Sequence, residues 1–154
     1  MTEPIRPPDL SARPYGLVVE RTFPVPPPAL FHAWTAGFDT WFAEPGAIML
    51  TPEVDRPYFF ETFHAGQRHP HYGRFLRVEP DRLLELTWLN EAGTRGHETV
   101  LTVELRPEGE GTAQRLTHRG FPDDRTRAEH EDAWRLLLER LLLPVLEGRG
   151  RGLL

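Results

Sequence analysis

The sequence of 154 residues contains no cysteine and no lysine, and its one serine is Ser11. The absence of cysteine excludes disulfides, thiolate-bound zinc and a cysteine nucleophile, and it fits a protein of the reducing cytoplasm. The chain also lacks a Gly-x-Ser-x-Gly elbow, a phosphate-binding loop and a dinucleotide-binding glycine motif. Nucleophilic catalysis therefore has no support in the sequence.

Long apolar runs and clusters of positive charge are missing as well. No run approaches the roughly 18 apolar residues of a membrane span, and Met1–Pro14 is rich in proline and polar residues. The formal net charge is −5, and the 18 basic residues, all arginine, are scattered singly instead of forming the stripe that phosphate binding needs. We expect a cytoplasmic protein that binds neither membrane nor nucleic acid.

Size and composition indicate one globular domain. Domains usually contain about 100–150 residues, and hydrophobic residues make up 39% of this chain and aromatic residues 10%, enough for a core. Proline near the start and glycine near the end mark the boundaries. We predict a single domain over residues 16–147, between flexible tails at residues 1–15 and 148–154.

The first elements are predicted by periodicity and by proline. Gly16–Phe23 alternates as a strand does, and one of its faces carries Leu17, Val19, Arg21 and Phe23. The proline run of Pro24–Pro28 ends that strand and suits the first turn of a helix over Ala29–Thr35. Phe38–Phe42 is typical of a second short helical turn.

The middle of the chain is predicted to be an antiparallel meander, because short alternating segments are separated by turn-forming residues. The predicted strands are Ala47–Glu53, Tyr58–His64, His71–Val78, Arg82–Leu89, Glu98–Arg106 and Ala113–His118. Such strands need a common cover for their apolar face.

A long C-terminal helix over about residues 126–146 is predicted to supply this cover. Asp123 or Asp124 can cap its start, and an apolar stripe of helical period contains Trp134 and Leu138. Pro144 is expected to kink the last turn, because it cannot donate to the carbonyl of Arg140.

The order of these elements resembles that of the helix-grip superfamily of START-like and pollen-allergen-like domains, an α+β fold in which a curved antiparallel sheet surrounds a long C-terminal helix. Local strings resemble one family within it, related to the activator of the ninety-kilodalton heat-shock protein ATPase. They are Val18–Phe23, Pro26–Thr35, His71–Leu76, Asp81–Trp88, Glu98–Leu105 and the helix with Trp134 and Leu138. The resemblance covers roughly residues 17–147.

The resemblance implies a fold but no catalytic residues. Members of the family often carry a Gly-Gly pair entering the third strand, where this chain has Asp55–Tyr58. A fold of this kind supports many functions, so function has to be inferred from the pocket.

A ligand cavity is predicted between the sheet and the C-terminal helix, with inward strand positions and the inner helix stripe as its lining. The alternative is that these aromatic side chains fill a closed core. The predicted lining consists of Trp34, Phe38, Trp41, Phe42, Tyr72, Arg74, Leu86, Trp88, Gln114, His118, Trp134 and Leu138. The polar members could orient a ligand carbonyl or carboxylate, and the alternative is that they form a satisfied buried network or a rim exposed to water.

Three functions are compatible with these residues. The favoured one is the binding of a small apolar or aromatic molecule, without catalysis or cofactor. The family name implies a second, a chaperone cofactor or other protein-interaction module, and exposed strand edges are compatible with a homodimer. The third is a cyclase- or dehydratase-like enzyme that uses His118 and Tyr72 for acid-base chemistry.

A metal site is the weakest alternative. His64, His69 and His71 flank a predicted hairpin turn and, with Glu61, could bind a metal ion. Side chains at a hairpin tip are usually solvated, however, and the sequence indicates no hydrogen-bonding partner that would orient these histidines. We predict no metal.

Overall fold

In the part of the chain that the structure describes, seven antiparallel strands form one curved sheet, which confirms the predicted helix-grip α+β fold. The computed structural model describes residues 6–150. The order of strands across the sheet is β1-β7-β6-β5-β4-β3-β2. The strands are β1 (Tyr15–Phe23), β2 (Ile48–Met49), β3 (Pro57–His64), β4 (Gln67–Glu79), β5 (Leu83–Trp88), β6 (Thr99–Glu108) and β7 (Gly111–Phe121).

Two short helical elements follow β1, as predicted. Helix α1 (Pro27–Trp34) begins in the proline run, and a 3-10 turn occupies Phe38–Thr40. Leu30 and Trp34 are buried on one side of α1, so the helix covers the inner face of the sheet next to β6 and β7. These elements lie beside the C-terminal helix on the same face.

The C-terminal helix begins at the predicted cap. Asp123 accepts a hydrogen bond from the backbone N–H of Thr126 at 2.8 Å, which satisfies a donor that the helix itself cannot pair. Helix α2 (Asp124–Leu137) is followed by a π-helical turn (Leu138–Leu142) and by helix α3 (Leu143–Leu146). We refer to residues 124–146 together as the C-terminal helix.

Pro144 explains the irregular turn. It has no N–H to donate to the carbonyl of Arg140, and the wider π turn comes directly before it, with the N–H of Leu143 bonded to the carbonyl of Leu138. The predicted kink is thus a change of helical period. Leu138, Leu141 and Leu142 stay buried through this turn.

The strand predicted at Ala47–Glu53 is wrong in length, because only Ile48–Met49 pairs with β3. Pro52 has no N–H for a ladder, and the chain turns away. Farther along, the N–H of Asp55 instead bonds the carbonyl of Phe75 at 2.8 Å. The β4–β5 register shifts between Phe75 and Arg77, close to this contact.

The segment before β1, part of the predicted flexible N-terminal tail, contacts the sheet in its described portion. The guanidinium of Arg13 donates to the carbonyl of Gly120 at 2.8 Å and to that of Glu98 at 2.6 Å. Residues 1–5 and 151–154 of the two predicted tails lie outside the described residues. Within residues 6–150, no helix combines the length and apolarity required to cross a membrane.

Candidate functional site

Seven large side chains fill the space between the sheet and the helices at the α1 end, and we call them the aromatic interior. They are Trp34, Phe38, Trp41, Phe42, Phe60, Trp88 and Trp134. Each is at most 9% exposed. Six of the seven are residues predicted to line a cavity, and elements distant in the sequence bring them together. Phe60 is the seventh and was not among the predicted residues.

The rings of the aromatic interior lie against one another. The centroids of Trp34 and Trp134 are 5.9 Å apart, and Trp88 lies 5.6 Å from both Phe42 and Trp134. These are the separations of aromatic pairs in packed cores. Trp88 and Trp134 therefore pack in a closed core, which is the alternative to lining a cavity.

Each of three indole N–H groups in this interior donates to a protein acceptor. Trp41 donates to the carbonyl of Ala33 at 2.7 Å, and Trp34 to Oε1 of Gln114 at 2.7 Å. Trp134 donates to Nδ1 of His118 at 3.1 Å. These bonds fix the ring positions as well as the apolar packing does.

His118 is held as a neutral structural group. Its Nδ1 accepts from Trp134, so Nε2 carries the proton toward the hydroxyl oxygen of Thr99, 2.7 Å away, and that hydroxyl donates to the carbonyl of Trp88 at 2.5 Å. Burial, together with the nearby His130, lowers the pKa of His118 well below its usual value. Both ring nitrogens are occupied, which leaves neither for acid-base chemistry.

His71 is also a structural histidine. Its Nδ1 donates to the carbonyl of His69 at 2.9 Å, its Nε2 accepts from the amide of Asn90 at 2.7 Å, and its ring stacks on Phe60 at 4.7 Å. Burial lowers the pKa of His71 to about 4. The ring faces the interior, whereas His64 is exposed. Among residues 6–150, no three acidic or histidine side chains are placed to hold a metal ion.

The predicted inward orientation of Tyr72 and Arg74 is wrong. Tyr72 is 40% exposed, and the guanidinium of Arg74 donates to the carbonyl of Arg6 at 2.5 Å. The inward positions of β4 are instead His71 and Phe75, and a register shift between Phe75 and Arg77 interrupts the simple alternation along the strand, so that Leu76 is buried as well. Tyr72 and His118 lie on opposite faces of the sheet, so the acid-base pair suggested for a cyclase is not assembled.

The inward orientations predicted for β5 and β7 are confirmed. Leu86 and Trp88 are buried on β5, and Gln114 and His118 are buried on β7. Leu138 is buried on the C-terminal helix. The alternation of each strand was sufficient to predict these orientations.

The end of the inner face near β1 differs from the aromatic interior. Arg21 of β1 and Gln114 of β7 are cross-strand partners, and Nε of Arg21 and Nε2 of Gln114 are buried without a hydrogen-bond partner. The bond from Trp34 to Oε1 orients the Gln114 amide, which leaves its Nε2 as the free donor. We call these two residues the donor pair.

Clefts among residues 6–150 reach the donor pair, one at both residues and a smaller one at Arg21 alone. The larger, about 1190 Å³, is lined by both residues, by Pro27 and Leu105, and by charged residues of β1, β4, β6 and β7 and of the turn between β4 and β5. The smaller, about 240 Å³, lies between β1 and the C-terminal helix, where Val19, Arg21 and Leu138 contribute to its walls. Arg21 therefore lines both clefts.

Arg21 and Phe60 are absent from the predicted lining. The sequence did contain a signal for Arg21, because it occupies an apolar strand face with Leu17, Val19 and Phe23. An arginine at such a position needs a special reason to be there. Phe60 could have been found by the same period of two on β3.

Solved structures share this fold at low sequence identity. Protein CV1439 from Chromobacterium violaceum has a TM-score of 0.74 at 19% identity, covering 86% of this chain and 96% of its own. DynU16, a protein of the dynemicin biosynthetic locus, has a TM-score of 0.72 at 18% identity, covering 86% and 48%. The Aha1 dimer from Colwellia psychrerythraea has a TM-score of 0.67 at 15% identity, covering 88% and 98%.

No curated protein matches the sequence. A family model does, that of the Activator of Hsp90 ATPase homolog 1-like protein, over residues 24–142. The matched stretch runs from the end of β1 through the π turn of the C-terminal helix, and it includes the aromatic interior and Gln114. The family suggested by the local strings is thus confirmed, and the chain belongs to the Activator of Hsp90 ATPase homolog 1-like family.

Proposed function

We propose that this protein binds a small apolar or aromatic molecule between the sheet and the C-terminal helix. The family and fold support a ligand-binding or polyketide cyclase-like domain. Among these, binding without catalysis has the better support, because His118 is committed to structural hydrogen bonds and Tyr72 faces outward.

The observation that carries the proposal is the pair of clefts beside the donor pair. A cleft between β1 and the C-terminal helix has two buried core side chains, Val19 and Leu138, in its walls. Ligand sites are concave, largely apolar and supplied with a few polar groups. The ligand would enter here and leave the aromatic interior packed, which moves the binding site away from Trp88.

Uptake of the neutral dye Nile red tests this function. The dye should gain fluorescence on binding, with one dye per chain, and naphthalene-2-methanol should displace it. Phe59→Ser is the matched control, because Phe59 lies on the exposed outer face and its loss should leave uptake unchanged. Absence of uptake by the parent protein, or its loss in Phe59→Ser, would contradict an internal site.

A row of exposed apolar side chains favours a second function, contact with another protein. Met49, Phe59 and Tyr72 are direct neighbours across β2, β3 and β4 on the outer face, and Met49 is 74% exposed. Contiguous apolar surface of this kind marks interaction sites. We propose self-association through this row, since one structural relative is described as a dimer.

Sedimentation equilibrium distinguishes the possible occupants of this row. A dimer that Phe59→Ser converts to a monomer would support self-association. A parent protein that stays monomeric at about 100 μM would contradict it, and a chaperone partner, which the family description names as an ATPase, would become the better candidate.

A further inference from the structure

The donor pair has a geometry that specifies its ligand chemistry. Arg21 and Gln114 face each other across the β1–β7 ladder, and each holds one N–H donor that is buried and has no acceptor. Gln114 is only 2% exposed. A buried donor without an acceptor is costly, so such groups are rare in folded proteins and indicate a missing partner.

The environment of Arg21 adds charge to this pair. Its guanidinium carbon lies 5.8 Å from the ring centroid of Phe23, a fully buried residue, so part of the cation faces an apolar surface. An acceptor that satisfies both donors should therefore be negatively charged and carry two oxygen atoms. A carboxylate has this form, and arginine binds it with charge-assisted hydrogen bonds.

The clefts indicate what is attached to the carboxylate. Val19, Leu138, Leu105 and Pro27 supply apolar walls next to the donor pair. Both clefts also contain acidic side chains, which disfavour a second negative charge on the ligand: Glu20 lines both, Glu139 lines the smaller, and Glu79, Asp81, Glu104 and Glu108 line the larger. Oε1 of Glu20 forms an ion pair with Nε of Arg115 at 3.8 Å, so the charge of Glu20 is partly compensated.

We infer that Arg21 and Gln114 form a carboxylate-binding subsite, and that the ligand is a monocarboxylate with an apolar or aromatic body. This inference rests on the proposed binding function and names its ligand class. One carboxylate oxygen accepts from Nε of Arg21 and the other from Nε2 of Gln114, while the bond from Trp34 to Oε1 keeps Gln114 in the orientation that leaves its amide N–H free for an acceptor.

Calorimetric titration with two matched probes tests the inference. Naphthalene-2-carboxylate carries the acceptor, and naphthalene-2-methanol has the same ring without the charge. The parent protein should bind the carboxylate at least about tenfold more tightly, the usual scale of charge-assisted hydrogen bonds. Arg21→Met removes the arginine donor of the pair. Gln114→Glu keeps an oxygen that can accept from Trp34 but replaces the amide donor by a negative charge at the subsite. Both variants should lose the preference and still bind naphthalene-2-methanol.

Arg125→Met is the control, because it removes an equal charge from a side chain that is 82% exposed on the C-terminal helix. It should retain the preference for the carboxylate. Equal affinity of the parent protein for both probes would overturn the subsite and leave the binding function intact. Binding of neither probe would overturn the binding function, and with it the subsite. If Arg21→Met also loses naphthalene-2-methanol while its circular dichroism is unchanged, Arg21 is a packing residue and the inference is wrong.

Discussion

The two ends of the inner face are built in opposite ways. In the aromatic interior, the indoles of Trp34, Trp41 and Trp134 each have an acceptor, and the rings are in mutual contact. At the donor pair, an arginine and a glutamine each keep a buried donor unpaired beside open clefts. The first region has the properties of a core, and the second has those of a site.

The difference shows that burial alone does not identify a ligand site in this fold. Trp88 and Gln114 are almost equally buried, yet their surroundings are complete in one case and incomplete in the other. Proteins commonly sacrifice some stability at functional positions. The two regions should therefore respond to mutation in different directions.

Trp88→Ala should give the largest effect, a loss of about 3–5 kcal/mol in the free energy of unfolding. The ring packs against Phe42, Phe60 and Trp134, and its removal leaves a cavity that these neighbours cannot close. Phe63→Ala, which truncates a side chain 56% exposed on the outer face, should change stability by less than about 1 kcal/mol. Urea denaturation of both variants measures this, and a small loss for Trp88→Ala would mean that Trp88 lines open space.

Acidification should give the second largest effect, a decrease in the free energy of unfolding through His71, whose ring stacks on Phe60 of the aromatic interior. The pKa of His71 falls from 6.5 in the unfolded chain to about 4 in the fold, so below pH 6.5 the unfolded state binds the proton first and stability decreases as the pH falls. This histidine alone contributes a loss of roughly 3 kcal/mol between pH 6.5 and 4. His71→Gln should reduce that slope in denaturation curves recorded across the pH range. His64→Gln on the same hairpin should not, and equal slopes in both variants would contradict the role of His71.

Arg21→Met should give the smallest effect and the opposite sign, a free energy of unfolding that is unchanged or raised by up to about 1 kcal/mol. The substitution removes a buried donor that has no acceptor and keeps the apolar stem. Arg13→Met is the matched comparison, because Arg13 has carbonyl acceptors on Gly120 and Glu98. Its loss should cost about 1–3 kcal/mol. Thermal melts of the two variants suffice, and equal destabilisation by both would show that Arg21 is satisfied in the fold.

The fold could be predicted from the sequence because its signals are local. The proline run, the period of two and the Asp123 cap each act within a few residues, and each appears in the structure. The strand after Pro45 is predicted too long, because the extent of its pairing with β3 is set by residues distant in the sequence and only Ile48–Met49 pairs. The proline also predicts an irregularity at Pro144, but not that it takes the form of a π-helical turn over Leu138–Leu142.

The site could be predicted only in part. Alternation placed Trp88, Gln114 and His118 inward, but it could not show whether their surroundings are complete, since that depends on partners from other elements. The prediction for Tyr72 and Arg74 is wrong because the register of β4 shifts between Phe75 and Arg77, where Phe75 and Leu76 are both buried, and this irregularity interrupts the simple alternation along the strand. Arg21 stood on an apolar face in the sequence, and its missing acceptor became visible only in three dimensions.

A single NMR titration, recorded with ¹⁵N or ¹H–¹⁵N detection, compares the donor pair with the aromatic interior in the same sample. As naphthalene-2-carboxylate is added, the side-chain NH₂ signals of Gln114 and the Nε–H signal of Arg21 should shift first and furthest. The indole signals of Trp41 and Trp134 should move little, because their acceptors stay in place. Large shifts of the indole signals with an unchanged Gln114 side chain would place the ligand in the aromatic interior and contradict the assignment of the site to the donor pair.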